Sequence, residues 1–225
     1  ASMALGVLLR AGLSGCQAKT DTPAPVAGTP AGMSPERLQR LDGHFHRLVD
    51  EGKIAGVVTW IARRGEVVHE DAYGFADIAA KRPMTKDSYF YVYSMTKPIT
   101  SVALLMLYEE GRFQLTDPIA RYLPELANLK LYAGDGPDGR MILRDPARQP
   151  TVQDVFRHTA GFLYGFGGDR GVDKAYGEAN VLSGTLADLT SRLGTLPLAY
   201  EPGTQWTYSV SHDVQARLVE VLSGM

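Results

Sequence analysis

The sequence predicts an α+β fold, a helix-covered antiparallel sheet followed by a mostly helical region. Three patterns carry that prediction. Apolar residues recur at spacings of three and four from Leu38 to Val49, the mark of a helix with one apolar face. Two β-branched runs then follow, separated only by Arg64-Gly65, which is the pattern of a hairpin. Beyond Ser94 most apolar runs return to helical spacing.

The folded part is expected to begin at Ser34. Ser34-Pro35-Glu36 combines a capping hydroxyl, a proline at the first helical position and an acid in the first turn. Leu38, Leu41, Phe45, Leu48 and Val49 mark the buried face, and Gly52 ends the helix. Ile54 to Ala62 and Glu66 to Phe75 read as the two strands of the hairpin. Ser88 to Tyr93 is aromatic and β-prone, and reads as an extended segment turning into an apolar helix over Ser101 to Glu110, with Gly111 as its cap. Asp117-Pro118 starts a short helix through Leu123. Residues 132–150, rich in Gly, Pro, Asp and Arg, read as a loop. Thr151-Val152-Gln153-Asp154 reads as a helix start, with a side-chain cap and an acid near the dipole's positive end, running to about His158. Gly161 to Gly171 holds five glycines but no following Lys-Ser or Lys-Thr, so it reads as a mobile loop rather than a phosphate cradle. Thr185 to Leu193 and Val214 to Leu222 are helical, with a turn at Pro202-Gly203 between them.

The bulk numbers exclude several classes. Net charge is −2, from 23 basic and 25 acidic residues, with no basic stripe for a nucleic acid. No stretch approaches the ~20 apolar residues of a membrane span. The single cysteine, Cys16, rules out an intrachain disulfide. Histidines 44, 46, 69, 158 and 212 form neither HExxH nor any other zinc pattern, so no metal and no cofactor are expected. His158 reads as a helix-end residue favoured by the dipole.

Residues 1–33 differ from the rest. Met3 to Leu13 is small and apolar, and Leu13-Ser14-Gly15-Cys16 resembles a bacterial lipobox, with a Pro- and Thr-rich spacer behind it. Two readings stand: a lipid anchor at Cys16 on a periplasmic or membrane-anchored protein, or an unstructured N-terminus on a cytoplasmic one. The apolar run is short and has no basic start.

Chemistry concentrates at Ser94-Met95-Thr96-Lys97. Residues at i and i+3 share a helix face, so Lys97 can reach the Ser94 hydroxyl. An amine in an apolar setting loses its proton more easily and can act as base toward a serine. Far along the chain, Tyr208 stands at the junction between the Pro202-Gly203 turn and a helix, where a phenol can project into a cleft and exchange protons. No Gly-x-Ser-x-Gly elbow exists, which argues against an α/β-hydrolase.

Together these segments resemble the serine β-lactamase and penicillin-binding-protein superfamily. The resemblance rests on Tyr93-Ser94-Met95-Thr96-Lys97, on Leu115-Thr116-Asp117-Pro118 with Tyr122-Leu123-Pro124, on Thr151 to Phe162 with its His158-Thr159-Ala160-Gly161 turn, and on Pro202 to Ser209. It runs from residue 34 to residue 225. Within the superfamily the chain is most similar to family VIII carboxylesterases, the class C-like branch that cleaves esters. Val210 stands where class C enzymes carry an asparagine, and Asp213 follows as it does in family VIII.

The resemblance implies a serine esterase acting on short-acyl carboxylic esters, with weak action on β-lactams. Ser94 would be the nucleophile, and Lys97, kept partly neutral, would share the role of base with Tyr208. Lys97→Arg would then fail, because a guanidinium stays charged. Two alternatives stand beside it: a class C-like β-lactamase or D-alanyl-D-alanine peptidase, and a non-catalytic penicillin-recognising protein. The resemblance also implies a C-terminal half, with further strands and a third motif facing Ser94, that residues 34–225 do not supply. The chain therefore reads as the N-terminal part of the domain, with an exposed sheet edge and poor activity unless that half is present.

Overall fold

The computed structural model describes residues 30–168 and 171–225. The lipobox-like segment ending at Cys16 and its spacer lie outside the described residues. The chain divides into two compact units, one reaching to Phe90 and one running from Tyr91 to Met225.

In the first unit, helix α1 (Pro35–Asp50) starts on Ser34, whose hydroxyl accepts the Arg37 N–H at 3.4 Å. Gly52, at φ 69°, follows the cap and lets the chain reverse without a Cβ penalty. Strands β1 (Gly56–Arg63) and β2 (Glu66–Asp77) form the antiparallel hairpin, turning on Arg64 and Gly65, both left-handed. That turn matches the twist of the flanking strands. A two-residue strand, β3 (Arg82–Pro83), completes a sheet of order β1-β2-β3. Helix α1 packs on β1 and β2 with Leu38 buried. Polar contacts reinforce that packing: His46 Nε2 meets Asp71 Oδ2 at 2.8 Å, and His69 Nε2 meets Asp42 Oδ1 at 2.9 Å.

In the second unit, one 3₁₀ turn (Tyr93–Met95) runs into α2 (Thr96–Glu109). Two further 3₁₀ turns, Ile119–Arg121 and Pro124–Leu126, precede the hairpin β4 (Leu131–Asp135) and β5 (Met141–Arg144). Helices α3 (Val152–Phe156), α4 (Gly171–Glu178), α5 (Leu186–Leu193) and α6 (Ser211–Ser223) complete it. Helix α6 is central, packing on α2, α3 and α5. Leu104, Ile119, Leu123, Leu126, Val152, Val155, Leu193, Val214 and Leu218 are buried in one core. Each such side chain contributes about 1.5–3 kcal/mol of burial.

Three expectations need correction, and one helix was not expected. Residues 88–92 form no strand; Tyr93 at φ 44° breaks the extended run, and Tyr89 and Tyr91 lie exposed. Residues 132–150 are not wholly loop, because Leu131-Tyr132 and Met141-Ile142-Leu143 are long enough to pair across a Gly136–Gly139 turn. The helix expected over Asp117 to Leu123 is one 3₁₀ turn. The five-glycine segment ends in α4, whose Tyr176 is fully buried.

Candidate active site

Ser94 sits in the turn that feeds α2, and Lys97 is one turn on, so the helix itself brings them together: Lys97 Nζ donates to Ser94 Oγ at 3.2 Å. Tyr208 arrives from the segment before α6, and its hydroxyl is hydrogen-bonded to Ser94 Oγ. The packing of α6 on α2 closes this long separation. Fully buried Gln215, on α6, accepts from the Ser101 hydroxyl of α2 at 2.9 Å and donates to the Val155 carbonyl of α3 at 3.0 Å. One amide thus ties together the three helices that carry or border the site. Ser94 and Tyr208 remain open to a ligand, Tyr208 being 41% exposed. All three residues singled out in the sequence converge on one oxygen.

The charge distribution differs from the sequence expectation. Burial alone would lower the pKa of Lys97, but its interactions with the hydroxyls of Tyr208 and Tyr164 outweigh it, and the net shift is upward. That direction favours the ammonium over the partly neutral amine expected from the sequence. The same contact with Lys97, helped by the Ser94 hydrogen bond, lowers the pKa of Tyr208. An ammonium 4.7 Å from the Tyr208 ring centroid stabilises the phenolate it faces.

The surroundings are aromatic and mostly neutral. Tyr164 lies beside both groups, its ring 5.6 Å from Tyr208 and 5.9 Å from Lys97 Nζ. Burial raises its pKa, so it stays a phenol while Tyr208 is drawn toward the phenolate. Environments that push two like groups apart assign their roles. His212 is lowered to about 4, by burial first and then by His158 and Lys97. Asp213 is raised, chiefly by burial. Val210 is completely buried in the core and offers nothing polar to a ligand. Among the described residues, no group of three or more His, Cys, Asp or Glu is placed to hold a metal ion.

His158 is not a helix-end charge. It lies past the end of α3, at φ 56°, and is 7% exposed. Burial and Lys97 lower its pKa, which keeps the imidazole neutral. Tyr164 and His158 are the site neighbours that sequence reasoning missed. The His158-Thr159-Ala160-Gly161 turn was the available signal for the second.

The turn that delivers Tyr208 is anchored to α3. The Gly203 N–H donates to the Thr159 carbonyl at 2.7 Å, and Thr159 Oγ1 donates to Asp154 Oδ1 at 3.1 Å. Asp154 also caps α3 through the Thr151 N–H and hydroxyl, both at 2.8 Å, and takes a two-pronged pair from Arg148 at 2.6 and 3.0 Å. Gly203 is at φ 86°, and a Cβ there would run into the Arg148 guanidinium, so glycine is required.

Comparison with known proteins places the chain in a family. The Beta-lactamase family pattern fits residues 41–225. An uncharacterised protein of Mycobacterium tuberculosis is 35% identical over 183 residues, covering 80% of this chain and 45% of that protein. Esterase EstB of Burkholderia gladioli is 32% identical over 191 residues, covering 82% of this chain and 45% of its own. Among solved structures, "EstCE1, a hydrolase with promiscuous acyltransferase activity" has a TM-score of 0.69 at 28% identity, over 84% of this chain and 48% of that one. The chain spans about half the length of the curated relatives it matches. With the family pattern covering nearly all of the described residues, the chain belongs to the Beta-lactamase family.

Proposed function

We propose that this chain carries the acylation site of a serine esterase that cleaves short-acyl carboxylic esters. The observation that carries the reading is the convergence of the Lys97 ammonium and the Tyr208 hydroxyl on Ser94 Oγ. A serine hydroxyl with both a cation and an acidified phenol on its oxygen is arranged for nucleophilic attack. The similarity to an esterase at 32% identity supports the same reading.

In this account Tyr208, as phenolate, takes the Ser94 proton while Oγ attacks the ester carbonyl carbon. The tetrahedral oxyanion gathers near the Ser94 N–H in the 3₁₀ turn that leads into α2, where N–H groups have no internal helical partner. The bond to the alcohol oxygen breaks, and the alcohol leaves with the proton from Tyr208. Water then attacks the acyl carbon, giving its proton to Tyr208, and the acid is released as Ser94 recovers a proton. Lys97 keeps its charge throughout and holds the phenolate in place.

Buried Val210 favours the ester over a β-lactam, because the asparagine that class C enzymes carry there is replaced by a core residue. Chromogenic acetate and butyrate esters assayed beside a chromogenic cephalosporin test this directly. Ester turnover well above cephalosporin turnover is expected, with both abolished by Ser94→Ala. Retained turnover in Ser94→Ala, or cephalosporin as the better substrate, would overturn it.

A further inference from the structure

We propose that His158 is the positioning residue for Tyr208, holding its backbone from both sides through one carbonyl and one ring nitrogen. The inference rests on the reading of Tyr208 as the base. The residue before Tyr208 and the residue after it both donate to His158. The Thr207 N–H reaches the His158 carbonyl at 3.0 Å, and the Ser209 N–H reaches His158 Nδ1 at 3.1 Å. The His158 ring also lies against the Tyr208 ring, with centroids 4.9 Å apart. A single residue therefore holds the chain one residue before Tyr208, holds the peptide N–H that follows it, and lies along its ring.

Three features say that this contact is specific. First, Nδ1 can accept only if the imidazole is neutral with its proton on Nε2. Lys97 on α2, His212 on α6 and Tyr208 itself face the ring, and the nearby cation opposes a second one. Second, His158 is held at φ 56°, a left-handed conformation that non-glycine residues rarely adopt. That conformation aims carbonyl and ring at the same passing strand of chain, and the surrounding core holds it there. Third, the ring is buried, so the Ser209 N–H has no solvent to replace Nδ1.

The geometry separates positioning from proton transfer. His158 makes no contact with Ser94 Oγ among the described hydrogen bonds; its polar contacts are to the backbone on either side of Tyr208 and to the Ser209 hydroxyl, 3.4 Å from Nδ1. The effect on Ser94 therefore passes through Tyr208.

Two substitutions that both tolerate the left-handed backbone make the test. His158→Asn places an amide oxygen where Nδ1 stood, and asparagine is enriched at such φ values. His158→Gly keeps the backbone and removes the acceptor. Folding is checked by thermal melting. With a chromogenic ester, His158→Asn is expected to keep kcat within about 3-fold, while His158→Gly loses ~100-fold in kcat with KM little changed, as for a misplaced catalytic group. A readout independent of turnover accompanies this. The Tyr208 phenol, titrated by ultraviolet difference spectra against Tyr208→Phe, is expected to ionise at higher pH in His158→Gly than in His158→Asn, because it no longer meets Lys97 squarely. Equal loss of kcat in both folded variants would overturn the proposal by making the imidazole itself necessary. An unshifted Tyr208 titration in His158→Gly would also overturn it. If the parent chain, which spans about half the length of its relatives, turns over no ester, the titration alone decides the positioning role.

Discussion

Burial pushes the pKa of Lys97 down, and two phenols, Tyr208 and Tyr164, push it up by more. Its role follows from what its charge does to Tyr208. A phenol whose pKa is lowered offers its basic form at lower pH, so the rate should rise with pH through that lowered value. Lys97→Met removes the cation and lets Tyr208 return toward ~10. The rise in kcat/KM should then move to higher pH, with a loss of ~100-fold at neutral pH. Lys97→Arg keeps a cation beside the phenol and should retain more activity than Lys97→Met. A pH–rate series on the three proteins checks both statements. An unmoved profile in Lys97→Met, or equal inactivity of the Arg and Met variants, would mean that Lys97 is itself the base. The spacing of Ser94 and Lys97 was readable because one helical turn sets it. The charge state was not, because it depends on Tyr164 and Tyr208, which arrive from distant sequence.

Between the elements, the Arg148–Asp154 pair fixes the carboxylate that caps α3 and accepts from Thr159, whose carbonyl holds the turn before Tyr208. Asp154 is 2% exposed and its pKa is lowered, against the upward push of burial, by Arg148 and the Thr151 cap. Arg148→Met should cost about 2 kcal/mol, less than the 3–5 kcal/mol for breaking a fully buried pair, because the arginine is partly solvated. A carboxyl whose folded pKa lies below its unfolded value stabilises fully above the unfolded value, near 3.9. That contribution fades as pH falls through the lower, folded value. The difference in melting temperature between the parent and Arg148→Met should therefore be full at pH 7 and shrink below about pH 4. A difference that stays constant across this range would show that the carboxylate is not its source. The Thr151–Asp154 cap was legible because its chemistry is local. The hairpin Leu131–Arg144 was not, since its strands of five and four residues are hidden by the Gly, Pro and Asp around them. Helix α4 was missed because it opens on Gly171 and carries a second glycine, Gly177, both weak helix formers.

For the molecule as a whole, the α+β class was readable from one helix face and one hairpin, both set by contacts between near neighbours. What the periodicities could not show was how α6 packs on α2, since burial of Gln215 and of the Val214 and Leu218 face is a tertiary event. That packing places Ser94, Lys97 and Tyr208 together, and all three lie within the unit from Tyr91 to Met225. The contacts proposed to activate Ser94 thus all lie within this unit. The most direct test is intact-mass spectrometry of the chain after treatment with a fluorophosphonate probe, followed by peptide mapping. The account predicts a single adduct on Ser94, lost in Ser94→Ala and strongly slowed in Tyr208→Phe. No adduct, an adduct on another serine, or equal labelling of Tyr208→Phe would contradict it.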